Sequence, residues 1–215
     1  MTMQKIFFLF LFLPVFTFGQ SFSDDIESEV KTFVTDSSSN RYWKKIYAVH
    51  EKSEKEYTKD ELRLFYFSQG LKNVNLTPFP SLILDPDRLK MKQAANSNRC
   101  KKVLKIAPQL IEKNPFDLTT LVYYSMCVDK KTADTDNIYY SRMKKIVESI
   151  LETGDGTSPS TAIKIANIGD DEILVGFLGF TGNKIGEPTI DGDIYSVWED
   201  SQGTKLYFDY VFIFL

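Results

Sequence analysis

The hydrophobic period of the chain changes once, at Gly154, and that change limits the architectures open to it. Before Gly154, apolar residues recur three and four apart, which gathers them on one side of a helix. Ile26, Val30, Phe33 and Val34 do so in a segment predicted as helix from Asp24 to Phe33. After Gly154, apolar residues alternate or run together, as they do in strands. Helices followed by strands bury both apolar surfaces by stacking one layer on the other. The predicted class is therefore α+β. N-terminal helical hairpins over 20–153 pack on a small C-terminal antiparallel β-sheet over 154–215, as one integrated domain.

The helical part carries its own punctuation. Thr58 and Glu61 are spaced as a capping box, with Tyr57 and Leu62 placed as a hydrophobic staple. The helix that follows carries Leu62, Phe65, Tyr66 and Gln69 on one side and should end at Gly70. Pro78, Pro80 and Pro86 make Thr77 to Asp87 a loop. A long helix is predicted from Leu89 to Lys113, with Val103, Leu104, Ala107, Leu110 and Ile111 inward and a kink or split at Pro108. The next opens after Pro115 with Asp117 as N-cap, and buries Leu118, Leu121, Val122 and Ser125. The last runs from Asp136 to Glu152 with Tyr139, Met143, Ile146, Val147 and Ile150 as its apolar face, closed by Gly154. Hairpins of this length are similar to tetratricopeptide units, but no clean period links them.

In the β part, Ala162 to Ile165, Glu172 to Phe180, Ile194 to Trp198 and Lys205 to Phe214 are predicted as strands. Asp191-Gly192 and Ser201-Gln202-Gly203 are turns between them. Leu206, Phe208, Tyr210, Phe212 and Phe214 share one face of the last strand. That aromatic ending resembles an outer-membrane barrel strand, yet eight strands of ~9–11 residues would need about eighty residues. Gly176, Gly179 and Gly182 have the wrong spacing for a dinucleotide fingerprint and point to bulges or close packing.

The first residues bear on compartment. Lys5, the apolar run Ile6 to Leu13, Pro14, and small residues at Thr17 and Gly19 make 1–19 a signal peptide cleaved between Gly19 and Gln20. The run is too short to span a bilayer, which takes ~20 residues. Gln20 and Ser21 stand where a lipoprotein would need Cys. The expected product is exported, periplasmic or secreted, with no membrane span after cleavage. Its net charge of −3 becomes more negative once Lys5 is lost. With no basic tract, neither nucleic acid nor anionic lipid is an expected partner. Cys100 and Cys127 are the two cysteines. An oxidising compartment permits a disulfide between them, and two buried thiols are the other reading.

Motifs for chemistry are scarce. His50 is the single histidine, sits among charged residues, and reads as solvated. Acidic residues gather in the β part. Asp155, Asp191 and Asp193 are the candidate metal ligands, for a calcium ion where loops converge. Paired carboxylates could also cleave a glycosidic bond. Turn chemistry accounts for Asp155, Asp191 and Asp200 more simply, and no interval matches the calcium-loop pattern. Asp209 lies inside an apolar strand and needs a donor if its face is buried. No catalytic or cofactor-binding residue is assigned, and no cofactor is expected.

Several stretches together resemble a known family. They are Gly154-Asp155-Gly156-Thr157-Ser158-Pro159 with Thr161-Ala162, then Asp171-Glu172, then Leu206-Tyr207-Phe208-Asp209, with the capping-box helix Thr58 to Tyr66. They are similar to a family of uncharacterised exported bacterial proteins of Bacteroidetes type, a domain of unknown function of about this length. Phe67 and Ser68 stand where that family's N-terminal signature has a glycine. The resemblance implies compartment and architecture and transfers no catalytic residue. The expected function is a non-catalytic binding or structural module of the cell envelope, with another envelope protein as partner. Tyr42, Trp43 and Trp198 are its contact candidates. The alternative is a carboxylate-dependent hydrolase acting on glycans through the β part.

Overall fold

The computed structural model describes residues 21–53, 56–128 and 138–211. The expected signal peptide, 1–19, and the positions of Phe212 and Phe214 fall outside them. Eight α-helices and five strands follow one another in the described residues. They are α1 (Ser21–Thr35), α2 (Trp43–Ser53), α3 (Lys59–Phe67), α4 (Pro86–Asn96), α5 (Cys100–Lys113), α6 (Leu118–Cys127) and α7 (Ile138–Leu151), then β1 (Ile163–Ile165), α8 (Asp170–Phe177), β2 (Gly182–Gly186), β3 (Thr189–Ile190), β4 (Asp193–Asp200) and β5 (Lys205–Tyr210). The class is α+β, with seven helices preceding the first strand.

The helices pack in series. The pairs α4–α5, α5–α6, α6–α7, α7–α3 and α3–α1 are neighbours. Helix α3 is the hub, since Leu62, Leu64, Phe65, Tyr66 and Phe67 are all buried. Its start is the predicted capping box. The Thr58 N–H donates to Glu61 Oε2 at 2.7 Å, and the Glu61 N–H donates to Thr58 Oγ1 at 3.2 Å. A short 3-10 turn from Ser68 to Gly70 closes it. Stacked Phe65 and Phe116 rings, with centroids 4.1 Å apart, sit at the middle of the aromatic core.

Several local expectations need correction. Helix α2 was not anticipated from its charge-rich sequence, yet Ile46 and His50 lie on its buried side. His50 is buried rather than solvated. Its ring stacks on Tyr57 with centroids 3.8 Å apart, and Nε2 lies 3.3 Å from Glu61 Oε2. The long helix splits at Ser97–Arg99 and not at Pro108, because Asn98 takes a left-handed φ of 54° and the Arg99 N–H closes back on the Ala94 carbonyl. Pro108 stays inside α5 on its exposed side.

The segment Glu172 to Phe180 is mostly helix, not strand. Gly169, at φ 92°, turns the chain into α8, and Asp170, Asp171 and Glu172 fill its first turn. Acidic residues there suit the positive end of a helix. Gly179, at φ 64°, follows the helix end. Gly154 does not act as a left-handed cap either. A side chain there would meet the Thr161 carbonyl oxygen at 2.3 Å, so the residue is small because two backbone segments touch.

The sheet runs β1-β5-β4-β2, with β3 also paired to β4. It is mixed rather than wholly antiparallel. β1 lies parallel to β5, Ile163 opposite Phe208 and Ile165 opposite Tyr210. A parallel pair needs a long crossover, which α8 and the β2–β4 segment supply. The β3–β4 hairpin turns on Asp191 and Gly192, at φ 53° and 99°, as the Asp-Gly pair predicts. One face of the sheet, with Leu206, Phe208, Tyr210, Ile163 and Ile165, joins the helical core. Tyr195, Val197 and Ala162 form a small cluster of their own.

Cys100 and Cys127 are joined by a disulfide that ties the start of α5 to the end of α6, across a sequence separation of 27. Loop-closure entropy for that span is worth about 3 kcal/mol. The double variant Cys100→Ser/Cys127→Ser should therefore lose about 3 kcal/mol in urea unfolding relative to the oxidised protein. Gly154→Ala, with its methyl aimed at backbone, should lose about 2 kcal/mol or more in the same assay.

Candidate functional site

The acidic residues of the β part have separate structural roles. Asp155 is exposed and accepts bonds from the Thr157 N–H at 2.9 Å and hydroxyl at 2.8 Å. Slight burial pushes its pKa up, but donors from Thr161 and Thr157 outweigh that and hold it low. The loop it shapes is pinned to the sheet through the Tyr207 N–H, which donates to the Gly156 carbonyl at 2.8 Å. Asp191 and Asp193 are exposed at the β3–β4 turn. Asp209 is buried and paired with Lys164 Nζ at 2.9 Å, which gives it the donor its position requires. Among the described residues, no group of three or more His, Cys, Asp or Glu side chains could hold a metal ion.

Two further aspartates are fully buried at the start of α8. Asp171 accepts from Ser196 Oγ at 2.6 Å and Trp198 Nε1 at 3.0 Å, and lies 3.2 Å from Lys184 Nζ. Burial opposes its charge, yet these donors hold its pKa below the usual value. Asp170 differs. Its donors are the Tyr66 hydroxyl at 2.8 Å, Thr119 Oγ1 at 3.3 Å and Asn167 Nδ2 at 3.4 Å. None of these is charged. Arg88 nearby is engaged with Asp117, 3.2 Å away. Burial first, then the Asp117 charge, pushes Asp170 up to about 7. It has no exposed surface, so it can meet no substrate.

A concave feature of the described residues lies on the helical side. An open cleft of about 430 Å³ is formed where α2, α5, α6 and α7 meet. Tyr47 from α2, Tyr124 from α6 and Tyr139 from α7 line it. Pro108 and Ile111 of α5 and Ile138 of α7 add apolar wall. Pro108, expected to break a helix, instead presents its ring there. Arg142 of α7 also lines the cleft. Its guanidinium carbon lies 5.2 Å from the Tyr57 ring centroid, 5.3 Å from Phe116 and 5.8 Å from Tyr139. Nη1 donates to the Pro115 carbonyl at 3.0 Å, while the buried Nε has no partner. Burial pulls its pKa down, though an arginine remains cationic.

The contact candidates do not form the cleft. Trp43 packs on Phe79 with centroids 6.2 Å apart, Tyr42 leans on Trp43, and Trp198 bonds to Asp171. Of the cleft residues, the sequence singled out Tyr139, Ile111 and Pro108 for packing or kinking alone. Arg142 had a legible signal. It stands three residues after Tyr139 and four before Ile146, a cation on an apolar stripe with no acid at helical spacing.

With the scaffold and its cleft described, comparison with known proteins is informative on one point. A family model for a domain of unknown function, DUF4919, matches residues 28–213. The chain belongs to that family. Neither a curated protein nor a solved structure matches the chain. The segments that resemble DUF4919 serve the scaffold. The 154–162 loop docks on β5, Asp171 ties α8 to β4, and the capping box starts the hub helix.

Asp170 gives the DUF4919 scaffold a pH signature. Its folded pKa of about 7 lies above the unfolded value near ~3.9. Between those values the folded state holds a proton that the unfolded state releases. Stability should therefore fall as pH rises from about 4 to about 7 and level off above, by at most about 1.4 kcal/mol per unit. Asp171, held low, acts in the opposite sense, and its contribution is lost as pH falls below about 4. Asp170→Asn should flatten the decline between those limits in pH-dependent thermal melts and narrow the gap between pH 5 and pH 8. An unchanged slope would exclude Asp170 as its source.

Proposed function

We propose that this protein is an exported, non-catalytic binding module that takes a small, flat, largely apolar ligand in the tyrosine-lined cleft. The carrying observation is the cleft, about 430 Å³ with tyrosines from three helices. Small-molecule sites span ~300–1,000 Å³, so the volume suits a compact ligand. Tyrosine offers a large apolar face with a polar edge, and only a few side-chain torsions must be fixed on binding.

The distribution of carboxylates favours binding over hydrolysis. A glycosidase needs a protonated acid and a second carboxylate facing one substrate. Asp170, with the raised pKa, is enclosed in the core. Asp171 is buried and held low by its donors. The cleft lies on the helical side, away from both.

Export is part of the same reading and is supported by the Lys5, Ile6–Leu13 and Gly19 pattern. The Cys100–Cys127 disulfide suits an oxidising compartment such as the periplasm. Among the described residues, no helix is long and apolar enough to cross a membrane.

The neutral fluorescent probe N-phenyl-1-naphthylamine tests the cleft. It should bind the wild-type protein, and Ile138→Trp, which fills the cleft, should weaken it by about tenfold or more, equivalent to about 1.4 kcal/mol. Equal binding by both would place the ligand elsewhere. Expression of the full chain in a Gram-negative host, followed by N-terminal sequencing, should yield a product beginning at Gln20. Recovery of the uncut chain in the cytoplasm would refute export.

A further inference from the structure

We infer that the ligand of the cleft carries a carboxylate, and that Arg142 is the residue that recognises it. This rests on the cleft being the binding site. The ligand class is a small monocarboxylate with a flat apolar body, such as an aryl carboxylic acid.

The fold gives its other inward-facing arginines acid partners. Arg88, buried in the core, lies 3.2 Å from Asp117. Arg63, half-buried, pairs with Glu29. Arg142 alone among these three has no carboxylate within 4.0 Å, counting the described residues. Arg142 is half-buried, and a cation partly withdrawn from water without an ion-pair partner needs something to replace its solvation. The rings of Tyr57, Phe116 and Tyr139 supply part of that through their faces. The Pro115 carbonyl takes one N–H. Nε is left without an acceptor. Arg142 lines a cleft large enough for a ligand, and a guanidinium matches the two oxygens of a carboxylate.

A carboxylate fits better than a phosphate. Glu112 of α5 lines the same cleft, and its negative charge opposes a dianion more strongly than a monoanion. Three tyrosines and four aliphatic or proline side chains around the one arginine call for a ligand with a single charged end. Its remainder is apolar.

Displacement of N-phenyl-1-naphthylamine by matched competitors tests this directly. On the wild-type protein, 2-naphthoate should displace the probe about tenfold better than 2-naphthamide, the advantage expected of a charge-assisted pair over a neutral one. 2-Naphthyl phosphate should be weaker than 2-naphthoate. In Arg142→Gln the acid and the amide should become equal while the neutral probe still binds. Should that variant not fold, the wild-type protein gives a second readout. High salt should weaken 2-naphthoate and leave 2-naphthamide unchanged. Equal displacement by acid and amide in the wild type overturns the carboxylate inference and leaves the cleft reading in place. Tighter binding of the phosphate overturns the ligand class. Probe binding indifferent to Ile138→Trp overturns both readings together.

Discussion

The hydroxyl of Tyr66 joins the two halves of this molecule. It donates to Asp170 Oδ2 at 2.8 Å and accepts from the Ala166 N–H at 3.1 Å. One bond fixes α8 and the other fixes the end of β1, both from the hub helix α3. The site is fully buried, so each group needs its partner inside the protein. Asn167 and Thr119 complete the shell around Asp170. Thr119 belongs to α6, and that helix also carries Tyr124 into the cleft. The network that seats the sheet therefore also positions one wall of the cleft.

The arrangement explains why Asp170 differs in charge from its neighbour. Asp171 faces β2 and β4 and meets Lys184, Ser196 and the Trp198 indole. Asp170 faces the helices and meets hydroxyls and an amide, because Arg88 is held by Asp117. Adjacent residues on one turn of helix thus meet a charged and a neutral set of donors, and their pKa values move apart. Such separation often marks acid–base chemistry. Here both groups are enclosed, and the divergence belongs to the join between layers.

How far the sequence foretold this depends on the range of each signal. The class, the capping box at Thr58, the N-cap at Asp117 and the Asp191-Gly192 turn are set by neighbours a few residues apart, and all appear as expected. Helix α8 was misjudged because Ile173, Leu174, Val175, Phe177 and Leu178 form a run that suits strand or buried helix equally. The deciding features were Gly169 before the run and three acids on the first turn. His50 was misjudged because its burial depends on stacking against Tyr57, outside its own helix. The β1–β5 parallel pair could not be read locally, since Ile163 and Phe208 meet only after the chain has crossed α8 and the β4 hairpins. The cleft is the extreme case. Its walls come from four helices, and no short window contains two of its tyrosines.

The segments that carry the resemblance serve the scaffold, and the family match itself spans 28–213, cleft residues included. The resembling segments are the 154–162 loop, Asp171-Glu172, β5 and the start of α3. Each serves caps, backbone contacts or the layer junction. The cleft side chains, Tyr47, Ile111, Tyr124, Ile138, Tyr139 and Arg142, lie outside all four segments. They project from helices whose opposite sides are already held by the core, as Ile146 and Ile150 hold α7. Ile111 is itself a core residue, and Tyr47, Tyr124 and Tyr139 pack against the core, so the cleft wall and the fold share side chains. Replacing Arg142 removes the cation from the wall together with its hydrogen bond to the Pro115 carbonyl and its contacts with the Tyr57 and Phe116 rings.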